Sequence, residues 1–409
     1  MKILKGAVLI SLERYFSVFI ISISFFILAK YVPVDKLGEY SAIEAVVMIC
    51  VIFSLLSLDT VFQDYYLKNS DRISIGDYYF SCLIVKVISS VFGYVISIIA
   101  ISLLDFNLYV GAVISTLILF KTITILTIYN ITVKKEKKYF LIGVFSTSIS
   151  FIMKLMLVLF LDESNIPYFY IIDMFVLFTV AGGVFLVEFR SVRAKYLLEI
   201  FGLVKLRIYF ILSSFSIVAF GKVDQILLAK MMTLENVANY ALAMKVVGIF
   251  VLMSSAFNLS FSRELSISRN DNERYINIIR NLMFFTIFLG VLFSVLNFYI
   301  SPLAINVFYG DKFNQAIYIV RLLSPLILLI FISSSIGRVL VAEELGRIAF
   351  TRNFLGLSFN FVLNLMLIPY FGIDGVIVSA LLSWVLSLII VFIFSHRMRS
   401  LFFRSIYVK

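Results

Sequence analysis

The chain contains a stretch at Asn353–Gly375, NFLGLSFNFVLNLMLIPYFGIDG, that continues directly into a second apolar run, VIVSALLSWVLSLIIVFIFS, at Val376–Ser395. Asp374 is the one charged residue in the two runs together. A helix needs ~20 apolar residues to cross the ~30 Å hydrocarbon core of a bilayer. The two runs therefore predict a pair of membrane-spanning helices joined by a short turn at residues 370–374.

The rest of the chain has the same character. Of its 409 residues, 62% are hydrophobic and 14% are charged, with a mean hydropathy of +1.06. This composition excludes a water-soluble globular protein and leaves little sequence for a soluble domain. It suffices for roughly twelve spans, so we predict an all-α integral membrane protein of about twelve transmembrane helices. The predicted spans are 10–29, 40–58, 78–104, 107–132, 139–161, 168–188, 207–229, 238–261, 279–300, 316–342, 353–369 and 375–395.

The distribution of lysine and arginine predicts the orientation of these spans. Basic residues at the edge of a span are counted with the adjoining segment. The seven segments on the side of the termini then carry 23 basic residues, and the six loops on the other side carry four. Because cytoplasmic loops are enriched in Lys and Arg, we predict that both termini and the basic loop Lys134–Lys138 are cytoplasmic. The net charge of +11 is spread over these loops and buried positions. A nucleic-acid-binding protein would instead gather it on one folded face.

A shift of 200 residues aligns the chain with itself. The tripeptide LAK at 28–30 recurs at 228–230, and the tyrosine ten residues further on recurs with it. The same loop thus joins the first and second spans and the seventh and eighth, which favours a duplication. An even number of spans separates the copies, so the repeat is parallel. We predict two six-helix bundles, 1–200 and 201–409, with a substrate site at their interface and a rocking motion between them.

Away from the span edges, twelve charged residues fall within the predicted spans. Each costs about 2.5–3.5 kcal/mol at the centre of a lipid-exposed helix, so most should face the bundle interior or water. Arg14, Lys86 and Arg338 lie near the cytoplasmic interface, and we expect them to snorkel towards it. The basic residues outnumber the acidic ones by eight to four. The twelve are Glu13, Arg14, Glu44, Lys86, Lys121, Lys154, Asp173, Lys222, Asp224, Lys245, Arg321 and Arg338.

The excess of positive charge predicts a site for an anion, such as a phosphate or pyrophosphate head group. Lys222 and Asp224 lie roughly 200° apart around a helix, so Lys245 on the next span is the expected partner of Asp224. Structural pairing between helices is the alternative role for all these charges. The predicted substrate-binding residues of the cationic cavity are Lys121, Lys154, Lys222, Lys245 and Arg321. The acids assigned to ion coupling or charge pairing are Glu44, Asp173 and Asp224.

Several kinds of chemistry are excluded by what the sequence lacks. The single histidine, His396, lies in the C-terminal tail, so a histidine-based zinc cluster or a Ser/His/Asp triad is not available in the membrane. Cys50 and Cys82 fall inside predicted helices, which excludes a disulfide framework. There is no GxxxxGK[ST] motif for ATP hydrolysis. We therefore expect no catalytic residue, metal or cofactor. We expect transport to be driven by a proton or sodium gradient, by a concentration gradient or by consumption of the product.

Local signals predict where the last helices bend. Pro325, the one proline well inside a span, should kink the tenth helix. Pro369 should end the eleventh helix, and Gly372 should permit the turn that follows. Asn360 and Asn364 lie one turn apart and should hydrogen-bond across helices.

Three segments resemble one family. The stretch 353–375, with its paired asparagines, LIP and G-I-x-G turn, resembles the eleventh helix of Wzx-type O-antigen flippases of the multidrug/oligosaccharidyl-lipid/polysaccharide (MOP) superfamily. The sequence DQILLAK from Asp224, followed by Tyr240-x4-Lys245, resembles the seventh and eighth helices of that family. LGEYS at 37–41 resembles its entry into helix two. By this resemblance Asp224 and Lys245 are motif positions.

The resemblance implies a MATE-like fold and a flippase. Such a protein moves undecaprenyl-diphosphate-linked oligosaccharide repeat units from the cytoplasmic to the outer leaflet by alternating access, for O-antigen, lipopolysaccharide or other surface polysaccharide biosynthesis. It implies the bacterial cytoplasmic (inner) membrane, a lipid-diphosphate-linked glycan as substrate and contact with membrane lipid. The expected protein partners are polymerase and chain-length proteins of the same pathway.

Two other functions remain open. A multidrug antiporter of the same superfamily would be expected to have an acid-dominated cavity. A repeat-unit polymerase or membrane glycosyltransferase would need a catalytic loop on the outer face, and the six predicted outer loops hold only about 47 residues together.

Overall fold

The structure is a computed structural model that describes residues 2–55, 58–69, 71–133, 135–160, 165–188 and 192–407, so Lys134 of the predicted basic loop lies outside the described residues. In this part of the chain every regular element is helical, and a helix satisfies its backbone hydrogen bonds internally, as a bilayer requires. The helices are α1 (Lys2–Tyr31), α2 (Val34–Cys50), α3 (Asp59–Lys68), α4 (Ile75–Leu103), α5 (Leu108–Phe120), α6 (Thr124–Thr132), α7 (Glu136–Leu159), α8 (Ile166–Glu188), α9 (Leu197–Leu206), α10 (Ile208–Phe220), α11 (Val223–Met231), α12 (Leu234–Ile267), α13 (Asn272–Tyr309), α14 (Asn314–Leu322), α15 (Ser324–Ala342), α16 (Gly346–Phe394) and α17 (His396–Tyr407).

The apolar helices account for the predicted spans. Within the described residues ten helices are long and apolar enough to cross a membrane, or eleven if the bent pair Leu197–Leu206 and Ile211–Phe220 is one span. Helix α16 is counted once, although its 49 residues contain the two apolar runs, 353–375 and 376–395, that predicted a pair of separate spans. Its backbone leaves helical geometry at Gly372 (φ 57°, ψ −128°), so it is two helices joined by a kink. Counted as two, it brings the number to eleven, or to twelve if the bent pair is one span, and the predicted all-helical membrane fold is confirmed.

Two of the predicted bends can be compared with the structure. α14 ends at Leu322, and α15 begins at Ser324 with Pro325 in its first turn. Proline fits this position because its ring presets φ and its missing N–H is not needed there. The bend predicted at Pro325 is confirmed as a helix break. The prediction that Pro369 ends a helix is wrong, because the helix continues through it and turns at Gly372, where glycine adopts a positive φ without strain.

The seventh predicted span, 207–229, is interrupted. α10 ends at Phe220 and α11 begins at Val223, with Gly221 and Lys222 in the turn between them. A helix N-terminus carries unpaired N–H groups and the positive end of the helix dipole. The break therefore creates a partial positive charge inside this predicted span.

The repeat seen in the sequence recurs in the helix boundaries. α1 ends at Tyr31 and α2 begins at Val34, while α11 ends at Met231 and α12 begins at Leu234. A lysine lies in the last turn of both preceding helices. The two junctions coincide at the offset of 200 residues, which supports a duplication.

The chain forms two compact units. Unit 1 comprises Met1–Val32 and Ala42–Phe215, and unit 2 comprises Pro33–Ser41 and Ser216–Lys409. In unit 1, α7 packs against α1 and α8, and α5 packs against α4 and α8. In unit 2, α15 packs against α12, α13 and α16. The division predicted at residue 200 stays a prediction.

A glycine sets the packing at the junction of α2 and α12. A Cβ atom at Gly38 would lie 1.8 Å from the carbonyl oxygen of Leu234, and a backbone atom cannot move aside as a flexible side chain can. We expect Gly38→Ala to destabilise the protein by at least the ~1–3 kcal/mol typical of overpacking. The monodisperse fraction after detergent extraction and the thermal midpoint would both fall.

Gly248→Ala is the matched control, because its Cβ atom would meet nothing within 4 Å. In a helix this change should be neutral or stabilising, by up to about 1 kcal/mol. Equal monodispersity and thermal midpoints for the Gly38 variant and the wild type would contradict the close approach.

Candidate functional site

A buried carboxylate lies at the start of α11. Asp224 is 4% exposed and lies in the first turn of the helix, where the dipole favours negative charge. The hydroxyl of Tyr240 on α12 donates to its Oδ2 at 2.8 Å, and Nδ2 of Asn364 on α16 donates to its Oδ1 at 2.8 Å. Within the described residues these hydrogen-bond partners are neutral, so hydrogen bonds and the helix terminus stabilise the charge.

Three helices of unit 2 thus meet at one polar cluster. Asn364 Nδ2 also lies 3.1 Å from Oδ1 of Asn360, and both asparagines are fully buried. The predicted hydrogen bond across helices is confirmed for Asn364. The structure gives Asp224 these partners in place of Lys245, which charge complementarity had suggested.

The cluster has the composition of a small-cation or proton site. Asp224 contributes two carboxylate oxygens, and within the described part of the chain the buried Oδ1 of Asn364 has no hydrogen-bond partner. Carboxylate and amide oxygens are the ligands that hard cations prefer. A proton on Asp224 would serve the same electrostatic purpose, because either one neutralises a buried negative charge.

Unit 1 contains a buried ion pair between two predicted site residues. Lys154 on α7 is 3% exposed and pairs with Asp173 on α8. Its ammonium also lies 4.4 Å from the centre of the Phe169 ring, a cation–π contact. Lys154 lines a narrow recess together with Ser24 and Ile27 of α1. The structure therefore brings Lys154 and Asp173 together, with an aromatic ring beside the cation.

The sequence identified only one residue of a second buried ion pair. Lys86 on α4, expected to snorkel, is instead fully buried and pairs with Asp59 at the start of α3. Thr124 Oγ1 donates to the other oxygen of Asp59 at 3.0 Å. Asp59 was missed because it follows directly on a predicted span and was assigned to a loop. This pair ties α3 to α4 and α6, which is a structural role.

Two of the other predicted cavity residues lie at junctions between helices. Lys121 lies in a tight turn between α5 and α6, and its Nζ donates to Met48 Sδ at 3.5 Å. Lys222 lies at the α10–α11 break, with its Nζ 3.5 Å from Oε1 of Gln225. Both side chains are partly buried.

The remaining predicted residues lie on three different helices. Lys245 on α12 and Glu44 on α2 are partly buried, and Arg321 in the last turn of α14 is exposed. Lys121 and Lys154 belong to unit 1, whereas Lys222, Lys245 and Arg321 belong to unit 2. The cationic cavity stays a prediction.

Arg352 is a buried residue that the sequence did not predict. It was assigned to an inner loop, but α16 begins at Gly346 and places Arg352 inside the fold, 5% exposed. Its guanidinium donates to the carbonyl of Ser333 and to Oδ1 of Asn353. In the sequence, the only indication that Arg352 is buried was its position directly before the predicted span 353–369.

Within the described residues no group of three His, Cys, Asp or Glu side chains could hold a metal ion. Cys50 and Cys82 are both buried and free. The two polar sites of interest are therefore the Asp224 cluster and the Lys154–Asp173 pair.

Comparison with known proteins identifies the fold. No protein-family model and no curated protein matches the sequence. The lipid II flippase MurJ in an inward closed conformation matches with a TM-score of 0.71 and 14% identity, over 98% of this chain and 90% of that one. A multidrug resistance MATE family transporter of the MOP superfamily, inward-facing, matches with a TM-score of 0.67 and 11% identity, over 94% and 95% of the two chains. The eukaryotic MATE transporter AtDTX14 matches with a TM-score of 0.65 and 10% identity, over 98% of both. The chain has the two-bundle fold of these transporters, and the MATE-like fold is confirmed.

Proposed function

We propose that this protein is a flippase that moves undecaprenyl-diphosphate-linked oligosaccharide repeat units from the cytoplasmic to the outer leaflet by alternating access. The proposal is supported by the Wzx-type sequence resemblance, by the fold shared with a lipid II flippase, and by the excess of basic over acidic residues in the spans. The product would enter O-antigen or another surface polysaccharide, including lipopolysaccharide.

The Lys154–Asp173 pair is the observation that carries this proposal. Asp173 compensates the buried ammonium of Lys154 while no substrate is bound. A diphosphate carries more negative charge than one carboxylate and offers more acceptor oxygens, so it competes with Asp173 for Lys154. A cationic drug would have to compete with Lys154 instead. An exchange of anions at a buried lysine therefore favours a lipid diphosphate over a multidrug substrate.

The Asp224 cluster is our proposed coupling site. Without an ATP-binding motif, transport needs another source of free energy, and a proton or sodium ion bound at Asp224 would provide one. Binding would neutralise a carboxylate that now depends on Tyr240, Asn364 and the α11 terminus. Of the other acids, Asp173 holds Lys154, and Glu44 remains a candidate for ion coupling or charge pairing.

The proposed setting is the bacterial cytoplasmic (inner) membrane, with both termini in the cytoplasm, as the distribution of basic residues predicts. Polymerase and chain-length proteins of the same pathway would take up the translocated repeat units. A multidrug antiporter is the second candidate function, because MATE transporters share the fold.

The pair at Lys154 gives a direct test. We expect Lys154→Ala to reduce surface glycan per molecule of transporter about ten- to a hundredfold, the equivalent of one charge-assisted hydrogen bond to the diphosphate. Lys154→Arg should retain part of the activity because it keeps the charge. Glycan export and membrane abundance are measured in the same cells.

Loss of a buried partner also destabilises a protein, by about 3–5 kcal/mol, so two controls are needed. The double variant Lys154→Ala, Asp173→Ala removes both charges and should restore abundance but not export. Lys86→Ala breaks a second buried pair of unit 1, that with Asp59, and should lower abundance while export per molecule stays normal. Normal export by the double variant at normal abundance would show that Lys154 is only structural.

The coupling site is tested by removing its charge without changing its shape. Asp224→Asn should fold, because the amide oxygen still accepts one hydrogen bond, but its transport should no longer respond to an imposed proton or sodium gradient. Asn364→Ala should cost about 1–3 kcal/mol and alter the same response, because it leaves Asp224 Oδ1 without its donor.

Asn297→Ala is the matched control for Asn364. Asn297 is equally buried and donates to two neutral acceptors, the Val320 carbonyl and Ser324 Oγ. It should lose similar stability and keep the wild-type gradient response. An Asp224→Asn variant that responds to both gradients as the wild type does would contradict the assignment.

A further inference from the structure

The last helix, α17, lies directly at the end of a membrane span. α16 ends at Phe394, and the single residue Ser395 is extended (φ −130°, ψ 103°) before α17 begins at His396. One residue gives the chain no room to leave the membrane surface. The helix sequence, HRMRSLFFRSIY, contains three arginines and one histidine, and no acidic residue. From the sequence, this segment is predicted to be a C-terminal tail.

Contacts at both ends hold α17 against unit 2. Nε of Arg397 in its first turn donates to Oε2 of Glu343, just after α15, at 2.9 Å. Nε of Arg280 on α13 donates to the carbonyl of Ser405 in its last turn at 2.9 Å. A cation at the C-terminal end of a helix also complements the dipole. The face carrying Met398 and Leu401 is buried, so the orientation of the helix is fixed.

The opposite face of α17 is basic and exposed. His396, Arg399 and Phe403 recur at intervals of three and four residues, so they share this face, and Arg404 lies at its edge. Phe403 is 58% exposed. Within the described part of the chain, Arg399 and Arg404 take part in none of the ion pairs, whereas Arg397 does. The two arginines are thus available to an anionic partner.

We propose that the exposed face of α17 binds the phosphate groups of anionic phospholipids in the leaflet on the side of the C terminus. Charge complementarity and position identify this partner, because the preceding span places the helix at a lipid surface. Guanidinium groups bind phosphate oxygens through paired hydrogen bonds, and an exposed aromatic residue on such a helix inserts at the acyl boundary. This proposal is independent of the transported substrate.

Hydrogen–deuterium exchange on the full-length protein tests this proposal. The protein is placed in nanodiscs, one copy per disc, made either of phosphatidylcholine alone or with about one-third phosphatidylglycerol. Amides of residues 396–407 should exchange more slowly in the anionic discs, and high salt should reduce this protection. Arg399→Gln with Arg404→Gln should remove it, at about fivefold per arginine. Phe403→Ser should weaken protection in both kinds of disc.

Lys30→Gln with Lys230→Gln is the matched control. It removes the same charge from two exposed lysines in the last turns of α1 and α11, which are predicted to lie on the other side of the membrane, and it should leave the protection of α17 intact. Equal exchange in the two kinds of disc would overturn the proposal, and so would protection that survives in the double arginine variant. Protection that appears only when two copies share a disc would show self-association instead, and would overturn it as well.

Discussion

A charge inside a membrane must be compensated where it lies, and the polar sites of this protein follow from that constraint. Lys154 is compensated by Asp173, and Lys86 by Asp59. Asp224 is compensated by hydrogen bonds and by a helix terminus. The two kinds of compensation allow different ligands to bind. A lysine in an ion pair can exchange its carboxylate for another anion, whereas a carboxylate held by neutral groups can still accept a cation. The proposed substrate and coupling sites correspond to these two cases.

Breaks in helices supply the geometry for the second case. The turn at Gly221 and Lys222 interrupts a predicted span and starts a new helix, whereas the kink at Gly372 lies between two predicted spans. A break inside a span places the end of a helix dipole there, and transporters use such ends to hold ions. Asn364 of α16 donates to Asp224 beside the break at Gly221 and Lys222, and Asn360 accepts from Asn364, so residues that look unrelated in the sequence form one cluster.

Sequence predicted the spans because hydrophobic length has one physical meaning in a bilayer. It identified Lys154, Asp173 and Asp224 as buried charges because each interrupts an apolar run. It could not assign the partners of Asp224, because Asn364 lies 140 residues away and charge alone favoured Lys245. It also missed α17, since a short, polar, C-terminal segment resembles a disordered tail until its apolar face is seen packed against α13.

We propose that buried basic residues of this protein recognise a lipid diphosphate. The most direct measurement uses purified protein in proteoliposomes with a fluorescent undecaprenyl-diphosphate oligosaccharide, read out by the fraction that becomes accessible to an external quencher. We predict that the protein accelerates translocation, that the monophosphate analogue moves more slowly, and that a cationic dye does not compete. Equal rates for the diphosphate-linked and monophosphate-linked sugars, or efflux of the dye without movement of the lipid-linked sugar, would contradict recognition of a lipid diphosphate.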